Sequence, residues 1–309
     1  MILGIGGKMG TTLGECLYKS IEENKLNKKV IGVSRFSNID KKKQLEEIGI
    51  KTISCDLLNI EEVNKLPIVK NIIFMAGKKF GTQGSEEETW AMNNIIPHNV
   101  MEHFKESKIV VYSTGCVYEL VDGYSGGSVE NDKQNPIGDY AISAMGRERV
   151  FSYFSMKNKT PISLIRLNYA IDLRYGVLRD IADAVINEEK ISLSAPLVNV
   201  IWQGDAVIQS LLTLKHTSSF SNIFNITGPE TVSIKFIAKK FGELLDKEVE
   251  FKDNFGGNCY LSNSSKASEL FGYPRVSLMT MIKWIAHWIE NNGTSYNKKT
   301  HFETTNGKY

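Results

Sequence analysis

The stretch "GDYAISAMGRERV", residues 138–150, places a tyrosine at the start of a predicted helix. A phenol with its ordinary pKa of about 10 exchanges protons poorly near neutrality, so acid/base chemistry at Tyr140 requires a nearby cation. One helical turn later, on the same face, the chain has Ala144. Arg147 shares that face but stands two turns away, about 10 Å along the axis, and is predicted to be a poor replacement.

A second group of residues with chemical potential lies in "GIGGKMGTTL". Gly4, Gly7 and Gly10 follow a predicted strand and open a predicted helix. Such glycines allow a tight turn and bring backbone N–H groups against a pyrophosphate, here at the helix start formed by Lys8 and Met9. The pattern predicts dinucleotide binding; the alternative is an ordinary strand-to-helix turn.

Polar residues at the ends of the next two strands predict the contacts of the adenosine half. "VIGVSRF" ends in Arg35 where an NAD site usually has a carboxylate, and a guanidinium suits the 2′-phosphate of NADP. Alternatively, Arg35 stacks on adenine and serves NADP or NAD. Asp56, followed by Leu57, is placed to accept from the adenine amino group; the alternative is a helix cap for the turn at 57–64.

Strand-like and helix-like patterns alternate through the first two-thirds of the chain. Several of the strands are apolar at nearly every position, which is typical of a parallel sheet buried on both faces. The sequence therefore predicts an α/β fold with a doubly wound, Rossmann-type parallel sheet and a small C-terminal substrate lobe. The predicted strands are 29–34, 51–55, 71–77, 108–114 and 162–167, and the helices between them are 8–24, 39–48, 86–106 and 139–157.

The alternation loosens after about residue 170, which divides the chain into three predicted regions. Residues 1–170 are predicted to form the dinucleotide-binding domain, and 171–291 a mixed substrate-binding lobe packed on it. Residues 292–309 have almost no apolar side chains and are predicted to be disordered. The Gly- and Asp-rich stretch 119–136 is predicted to be a long surface loop.

Composition excludes several functional classes. The 309 residues carry a formal net charge of +2 and no arginine-rich stripe, so we expect neither nucleic acid nor a membrane as a partner. The four cysteines lie far apart and the five histidines show no ligand spacing, so no metal site is expected. Cysteines without a paired spacing favour a reducing, cytoplasmic location.

The order of these motifs resembles the extended short-chain dehydrogenase/reductases, the NAD(P)-dependent sugar epimerase/dehydratase family. The resemblance covers roughly residues 1–290, in family order. It is carried by the glycine motif, "CDL", "MAG", Asn93 in the helix after the fourth strand, "VYSTGCVYE", the Tyr140 helix and "SSKASELFGYPR".

By this resemblance, Thr114 takes the catalytic Ser/Thr position and Tyr140 the catalytic tyrosine. Met75, Ala76 and Gly77 would lie under the cofactor ribose, and Asn93 would belong to the same site. The family performs transient hydride transfer at a sugar carbon with the tyrosine as acid/base. The resemblance also implies a homodimer, in which helices 86–106 and 139–157 pair across a two-fold axis.

Two departures from the family pattern bear on function. The lysine of the family's Y-x-x-x-K is replaced by Ala144; Lys78 and Lys79 are alternative cations, unless they are a solvated loop pair. The arginines that many relatives use for nucleotide diphosphates are missing from "NFGGNCYLSN", which favours a sugar without a linked nucleotide.

The sequence therefore supports two hypotheses. The first is an NAD(P)-dependent oxidoreductase or isomerase, of the epimerase, dehydratase or reductase type, acting on a sugar or related hydroxyl/keto compound. The second is a catalytically silent dinucleotide-binding protein with a sensory or structural role. Thr114 and Tyr140 favour the enzyme, and Ala144 favours the silent protein.

Overall fold

A computed structural model describes residues 1–79 and 84–307 of the chain, without the side chains of 253 and 254. Its centre is a seven-stranded sheet with the strand order β3-β2-β1-β4-β5-β7-β12. The strands are β1 (Ile2–Leu3), β2 (Ile31–Ser34), β3 (Lys51–Ser54), β4 (Asn71–Phe74), β5 (Lys108–Thr114), β7 (Ile162–Leu167) and β12 (Asn222–Ile226). β1 pairs in parallel with β2 and β4, and β2–β3 and β4–β5 are also parallel. The predicted doubly wound sheet is confirmed.

The chain reverses its direction of travel through the sheet between β1 and β4. β2 and β3 extend the sheet on one side of β1, and β4 then returns to its other side. Loops at the carboxyl ends of two such strands diverge and leave a crevice in which open α/β sheets bind ligands. Because Gly4 follows β1 and Met75 follows β4, both predicted cofactor segments begin at this point.

Helices connect the strands of the first compact unit, which comprises 1–113, 139–165 and 207–223. They are α1 (Lys8–Glu23), α2 (Ile39–Ile48), α3 (Ile60–Val63), α4 (Glu86–Trp90), α5 (Ile96–His103), α6 (Gly138–Asn158) and α8 (Gln203–Leu212), the last of which begins before residue 207. A π-helical turn, Ala91–Ile95, joins α4 to α5. Apolar side chains of the sheet and of α5 and α6 form one buried core, with Phe74 and Phe151 in edge-to-face contact at 4.8 Å.

The second compact unit comprises 114–138, 166–206 and 224–309. Its helices α7 (Val177–Ile186), α9 (Ile234–Leu245) and α11 (Leu278–Glu290) share a separate apolar core. α10 (Ser265–Phe271) completes the helices. Short two-stranded sheets are formed by β6 (Val121–Asp122) with β15 (Asn258–Cys259), β8 (Ala170–Ile171) with β11 (Ile201–Trp202), β9 (Ile191–Leu193) with β14 (Phe251–Phe255), and β10 (Leu197–Val198) with β13 (Val232–Ser233).

This division differs from the predicted boundaries at residues 170 and 291. The stretch 119–136 belongs to the second unit. Its strand β6 pairs with β15, and the buried side chain of Asn225 forms a hydrogen bond to its backbone. The Asn225 Nδ2 donates to the Ser128 carbonyl at 2.8 Å, and its Oδ1 accepts from the Tyr118 hydroxyl at 2.8 Å. The predicted surface loop is therefore an anchored part of this unit.

The C-terminal stretch also departs from its prediction. Thr300 is buried, and its N–H and hydroxyl both donate to Asp180 Oδ2, at 2.7 and 2.5 Å. Burial raises the pKa of the Asp180 carboxyl, and these hydrogen bonds act against that shift. The Glu303 carbonyl accepts from Ser194 Oγ at 2.7 Å. Within 292–307, backbone and hydroxyl hydrogen bonds connect a segment that has little apolar surface to the rest of its unit.

Candidate active site

The loop between β1 and α1 contains two glycines that the fold itself requires. Gly4 has a φ of +89°, and a Cβ there would lie 2.8 Å from the backbone nitrogen of Ala76. A Cβ at Gly10 would lie 2.6 Å from the carbonyl oxygen of Ile5. Any larger residue at either position would collide with the backbone of its own unit. These two glycines bring β1, the loop and the segment after β4 close together.

Gly7 is different, because nothing in the described fold requires a glycine there. It is exposed, its φ is −72°, and a Cβ would meet only the Gly4 carbonyl oxygen, at an ordinary 3.4 Å. Gly7 precedes the 16-residue α1 without a side-chain cap, and the first turn, with Lys8 and Met9, has no acidic residue. Uncapped N–H groups at a helix start suit an anion, and an absent side chain lets it approach. These residues fit a dinucleotide phosphate.

The residues predicted to contact adenosine lie at the ends of β2 and β3. Arg35 is exposed. The pKa of the Glu88 carboxyl is lowered mainly by its hydrogen bond and charge interaction with Lys78, with a smaller contribution from Arg35. Asp56 Oδ1 accepts from the Leu58 N–H at 3.0 Å, and Leu57 is buried in the first core.

The alternative assigned to Asp56, a cap for the helix that follows, is wrong. Asn59 caps α3 instead, because its Oδ1 accepts from the N–H groups of Glu61 and Glu62. Asp56 forms a local turn with its carboxylate, which is half-buried.

Asn93 lies inside the π-helical turn and joins three segments. Its Oδ1 accepts from the Lys78 N–H at 3.1 Å, and its Nδ2 donates to the Lys78 carbonyl at 3.2 Å and to Ser143 Oγ at 2.9 Å. The Ser143 hydroxyl donates in turn to the Tyr140 carbonyl at 3.0 Å. Asn93, itself fully buried, thus ties the strand-end segment Met75–Gly77 and its continuation to the first turn of α6.

The Arg147 guanidinium is buried beside this network. Its Nη1 donates to the Tyr112 carbonyl at 2.9 Å and its Nη2 to Asn93 Oδ1 at 2.5 Å, while Nε has no hydrogen-bond partner among the described residues. A Cβ at Gly77 would lie 2.5 Å from Nη2, so the guanidinium lies directly against the strand-end segment. Burial lowers the Arg147 pKa, and electrostatic interactions with Tyr140 and Glu148 oppose that shift.

These contacts show where the Arg147 side chain goes, although Arg147 stands two turns along α6 from Tyr140. The axial separation of the two backbones is as expected. Helical side chains, however, lean toward the N-terminus, and an arginine is long enough to cover the preceding turn. The guanidinium therefore shares Asn93 with Ser143, one turn before its own Cα.

Tyr140 itself is 8% exposed at the start of α6. The Lys79 Nζ lies 5.7 Å from the centroid of its ring. Lys78, the other predicted substitute for the missing lysine, pairs with Glu88 at 2.5 Å and also donates to Ser85 Oγ. Of the two lysines, Lys79 is therefore the one whose ammonium group lies near the Tyr140 ring.

Two further groups lie at the end of β5. Ser113 Oγ donates to Glu148 Oε1 at 2.5 Å in the first unit, a buried contact that the sequence analysis did not anticipate. Thr114 falls in the second unit, is 8% exposed, and accepts the Cys116 N–H at 3.2 Å. One signal in the sequence could have indicated that Glu148 is buried. Arg147 and Glu148 are consecutive charged residues in a helix that packs on the sheet, so at least one of them faces the protein interior.

Residues 1–79 and 84–307 lack two further features. This part of the chain has no helix that is both long and apolar enough to cross a membrane. In the same residues no group of three or more His, Cys, Asp or Glu side chains is arranged to hold a metal ion.

Comparison of the sequence with protein-family models and with curated proteins gave no match. Solved structures do match. Pal from Bacillus thuringiensis superposes with a TM-score of 0.76 at 15% identity, covering 94% of this chain and 98% of its own. UDP-glucose 4-epimerase from Thermotoga maritima, with UDP-glucose, gives 0.75 at 18% identity with the same coverage of both chains. dTDP-glucose 4,6-dehydratase from Streptomyces venezuelae, with NAD, gives 0.77 at 15% identity, covering 94% and 96%. The chain has the fold of these proteins over nearly its whole length.

Proposed function

We propose that this chain is a nicotinamide-dinucleotide-dependent oxidoreductase or isomerase, of the epimerase, dehydratase or reductase type, that acts on a sugar or related hydroxyl/keto compound. One observation carries the proposal. Gly7 leaves an uncapped helix start beside β1, where the chain stops adding strands on one side of the sheet and continues on the other. Nothing in the described fold requires a glycine there. The likeness in fold to sugar epimerases and dehydratases supports it.

The cofactor would lie along the carboxyl ends of β1, β2 and β4. The phosphates would contact the N–H groups at the start of α1, and the adenosine would reach the ends of β2 and β3. The nicotinamide ribose would lie at the strand-end segment that Asn93 supports. In order along the cofactor, the proposed contacts are Gly4, Gly7, Lys8, Met9 and Gly10, then Arg35, Asp56 and Leu57, then Met75, Ala76, Gly77, Asn93 and Tyr140.

We propose NADP as the preferred form, because the exposed Arg35 ends β2 where a carboxylate would favour NAD. NAD remains the alternative, and it is the form named with the dehydratase from Streptomyces venezuelae. For the substrate we propose a sugar without a linked nucleotide. UDP-glucose, named with the Thermotoga maritima epimerase, represents the alternative class.

The chemistry assigned to the chain is proton transfer and substrate binding. A bound nicotinamide would accept a hydride from a substrate carbon and could later return it. As that C–H bond breaks, Tyr140 as phenolate takes the proton of the attached hydroxyl, and a carbonyl forms; in the reverse direction the Tyr140 hydroxyl returns the proton. Thr114 is the second proposed catalytic residue, with a hydroxyl that would bind the substrate.

The test is a turnover screen. The full chain would be incubated with NAD or NADP and panels of free sugars, sugar phosphates and nucleotide sugars, with product analysis and absorbance of the reduced nicotinamide. We expect conversion of one panel member at a rate proportional to protein concentration. Cofactor binding without conversion of any member would favour the silent dinucleotide-binding protein instead.

We propose a homodimer formed through the helical stretch 86–103 and α6. Phe151 and Phe154 are buried in the first core. The large apolar side chains that are more than half exposed on these elements are those of Ile95, Tyr153 and Met156. We also propose a cytoplasmic location, supported by the absence of any disulfide among the four cysteines, all of which are described.

Introducing carboxylates on this surface should separate the dimer. We expect Ile95→Glu with Met156→Glu to sediment as a monomer at micromolar concentration, because burying two carboxylates in an apolar interface is costly. Ile68→Glu, at another isoleucine of the first unit that is more than half exposed, is the matched control and should leave the dimer intact. Sedimentation of the unmodified protein as a monomer would refute the assembly.

A further inference from the structure

The geometry of α6 places the side chain of Arg147 over the turn that contains Ala144. Ala144 is fully buried, and its methyl group is too short to cover the preceding turn of α6. A side chain three residues later leans back over that turn. The buried Arg147 guanidinium reaches Asn93, which also binds Ser143, and so its charge lies beside the turn that follows Tyr140.

The hydrogen bonds of Arg147 do not neutralise its charge. Its two acceptors, the Tyr112 carbonyl and the Asn93 amide oxygen, are neutral. Its buried Nε lacks a hydrogen-bond partner among the described residues, and the carboxylate that interacts with it electrostatically is that of Glu148. A buried charge in this condition is costly unless an anion or a ligand oxygen compensates for it.

We propose that Arg147 supplies the cation that the chain lacks at position 144, and that it holds Tyr140 in the phenolate form needed for proton transfer. This inference rests on the proposed function. Arg147 acts through Tyr140 and is therefore a positioning residue. The attraction between a guanidinium and a phenolate favours ionisation of the phenol at a lower pH.

Other charged groups near Tyr140 are weaker candidates. Lys79 lies at the ring but is only half-buried, so salt screens its effect. Lys78 is paired with Glu88. Asp139, next in the chain, accepts from Trp90 Nε1 at 2.9 Å and would disfavour a phenolate, as would the buried Glu148.

The test is a pH titration of phenolate absorbance in the full chain without ligand, with the Tyr140→Phe curve subtracted so that only Tyr140 remains. We expect Tyr140 to ionise below the ordinary value of about 10. In Arg147→Gln its midpoint should rise by about 1–3 pH units. Arg147→Lys should keep most of the effect, and Arg147→Gln with Ala144→Lys should restore it. Arg149→Gln, at an exposed arginine of the same helix, is the matched control and should leave the midpoint unchanged.

High salt and the Lys79→Ala variant distinguish the effect of Arg147 on Tyr140 from that of Lys79. We expect the Tyr140 midpoint to persist in 1 M salt, where the Debye length is about 3 Å, and to move little in Lys79→Ala. The proposal is overturned if Tyr140 in the unmodified protein ionises at or above about 10, or if Lys79→Ala moves the midpoint and Arg147→Gln does not. The first outcome can be measured even if Arg147→Gln fails to fold. Because the titration needs no ligand, a failure of cofactor binding would refute the proposed function separately.

Discussion

Tyr140→Phe is expected to lower turnover by about 10²–10⁴, the range that a positioned acid/base group contributes, once a substrate is found. The substitution removes only the hydroxyl, and the ring of Tyr140 is almost wholly buried at the start of α6. Cofactor affinity should therefore change little. The measurement is kcat with saturating substrate, together with a cofactor titration of the same preparation.

Tyr153→Phe is the matched control, because Tyr153 lies on the same helix and is 55% exposed. Its turnover should equal that of the unmodified protein. Full turnover in Tyr140→Phe would mean that Tyr140 is only a packed helix residue and that the proposed proton transfer does not take place there.

The part of the fold that the sequence predicts best is the central sheet. Strands such as β4, β5 and β7 are short apolar runs that are buried at nearly every position, and this local pattern locates them. The predicted strand 108–114 coincides with β5, and the predicted strand 162–167 coincides with β7. The glycine loop was found for a similar reason, since the turn chemistry of Gly4 and Gly10 is set by neighbours close in sequence and by the adjacent strand.

The electrostatics of the site could not be obtained in the same way. Spacing along α6 gives the distance between the Tyr140 and Arg147 backbones, but the position of a guanidinium depends on its side-chain direction and on distant acceptors. Here those acceptors are Tyr112, on β5, and Asn93, in a π-helical turn within a predicted regular helix. Neither contact has a signature in the sequence around Arg147.

Contacts of the chain end and of the stretch 119–136 also have no signature in the local sequence. Residues 292–307 lack apolar character, yet Thr300 is held by the buried carboxyl of Asp180, 120 positions earlier. The stretch 119–136 is anchored by Asn225 across a similar separation. The composition of a segment indicates how much apolar surface it can bury. It does not predict hydrogen bonds to buried polar groups that are distant in sequence.

The claim on which the whole account depends is that a nicotinamide dinucleotide binds at the start of α1. Gly7→Val tests it most directly, because a side chain fits there without displacing the described fold. The control is Gly257→Val, at an exposed glycine of the second unit with no atom of another residue near its Cβ position. Both variants should show melting temperatures close to that of the unmodified protein.

Titration of the three proteins with NADP and NAD gives the decisive comparison. We expect Gly7→Val to bind at least about 100-fold more weakly, as the loss of one or two hydrogen bonds between helix N–H groups and a phosphate predicts. Gly257→Val should bind like the unmodified protein, and NADP should bind more tightly than NAD if Arg35 contacts a 2′-phosphate. Equal cofactor affinity in Gly7→Val and the unmodified protein, or no binding of either dinucleotide by the unmodified protein, would contradict the account.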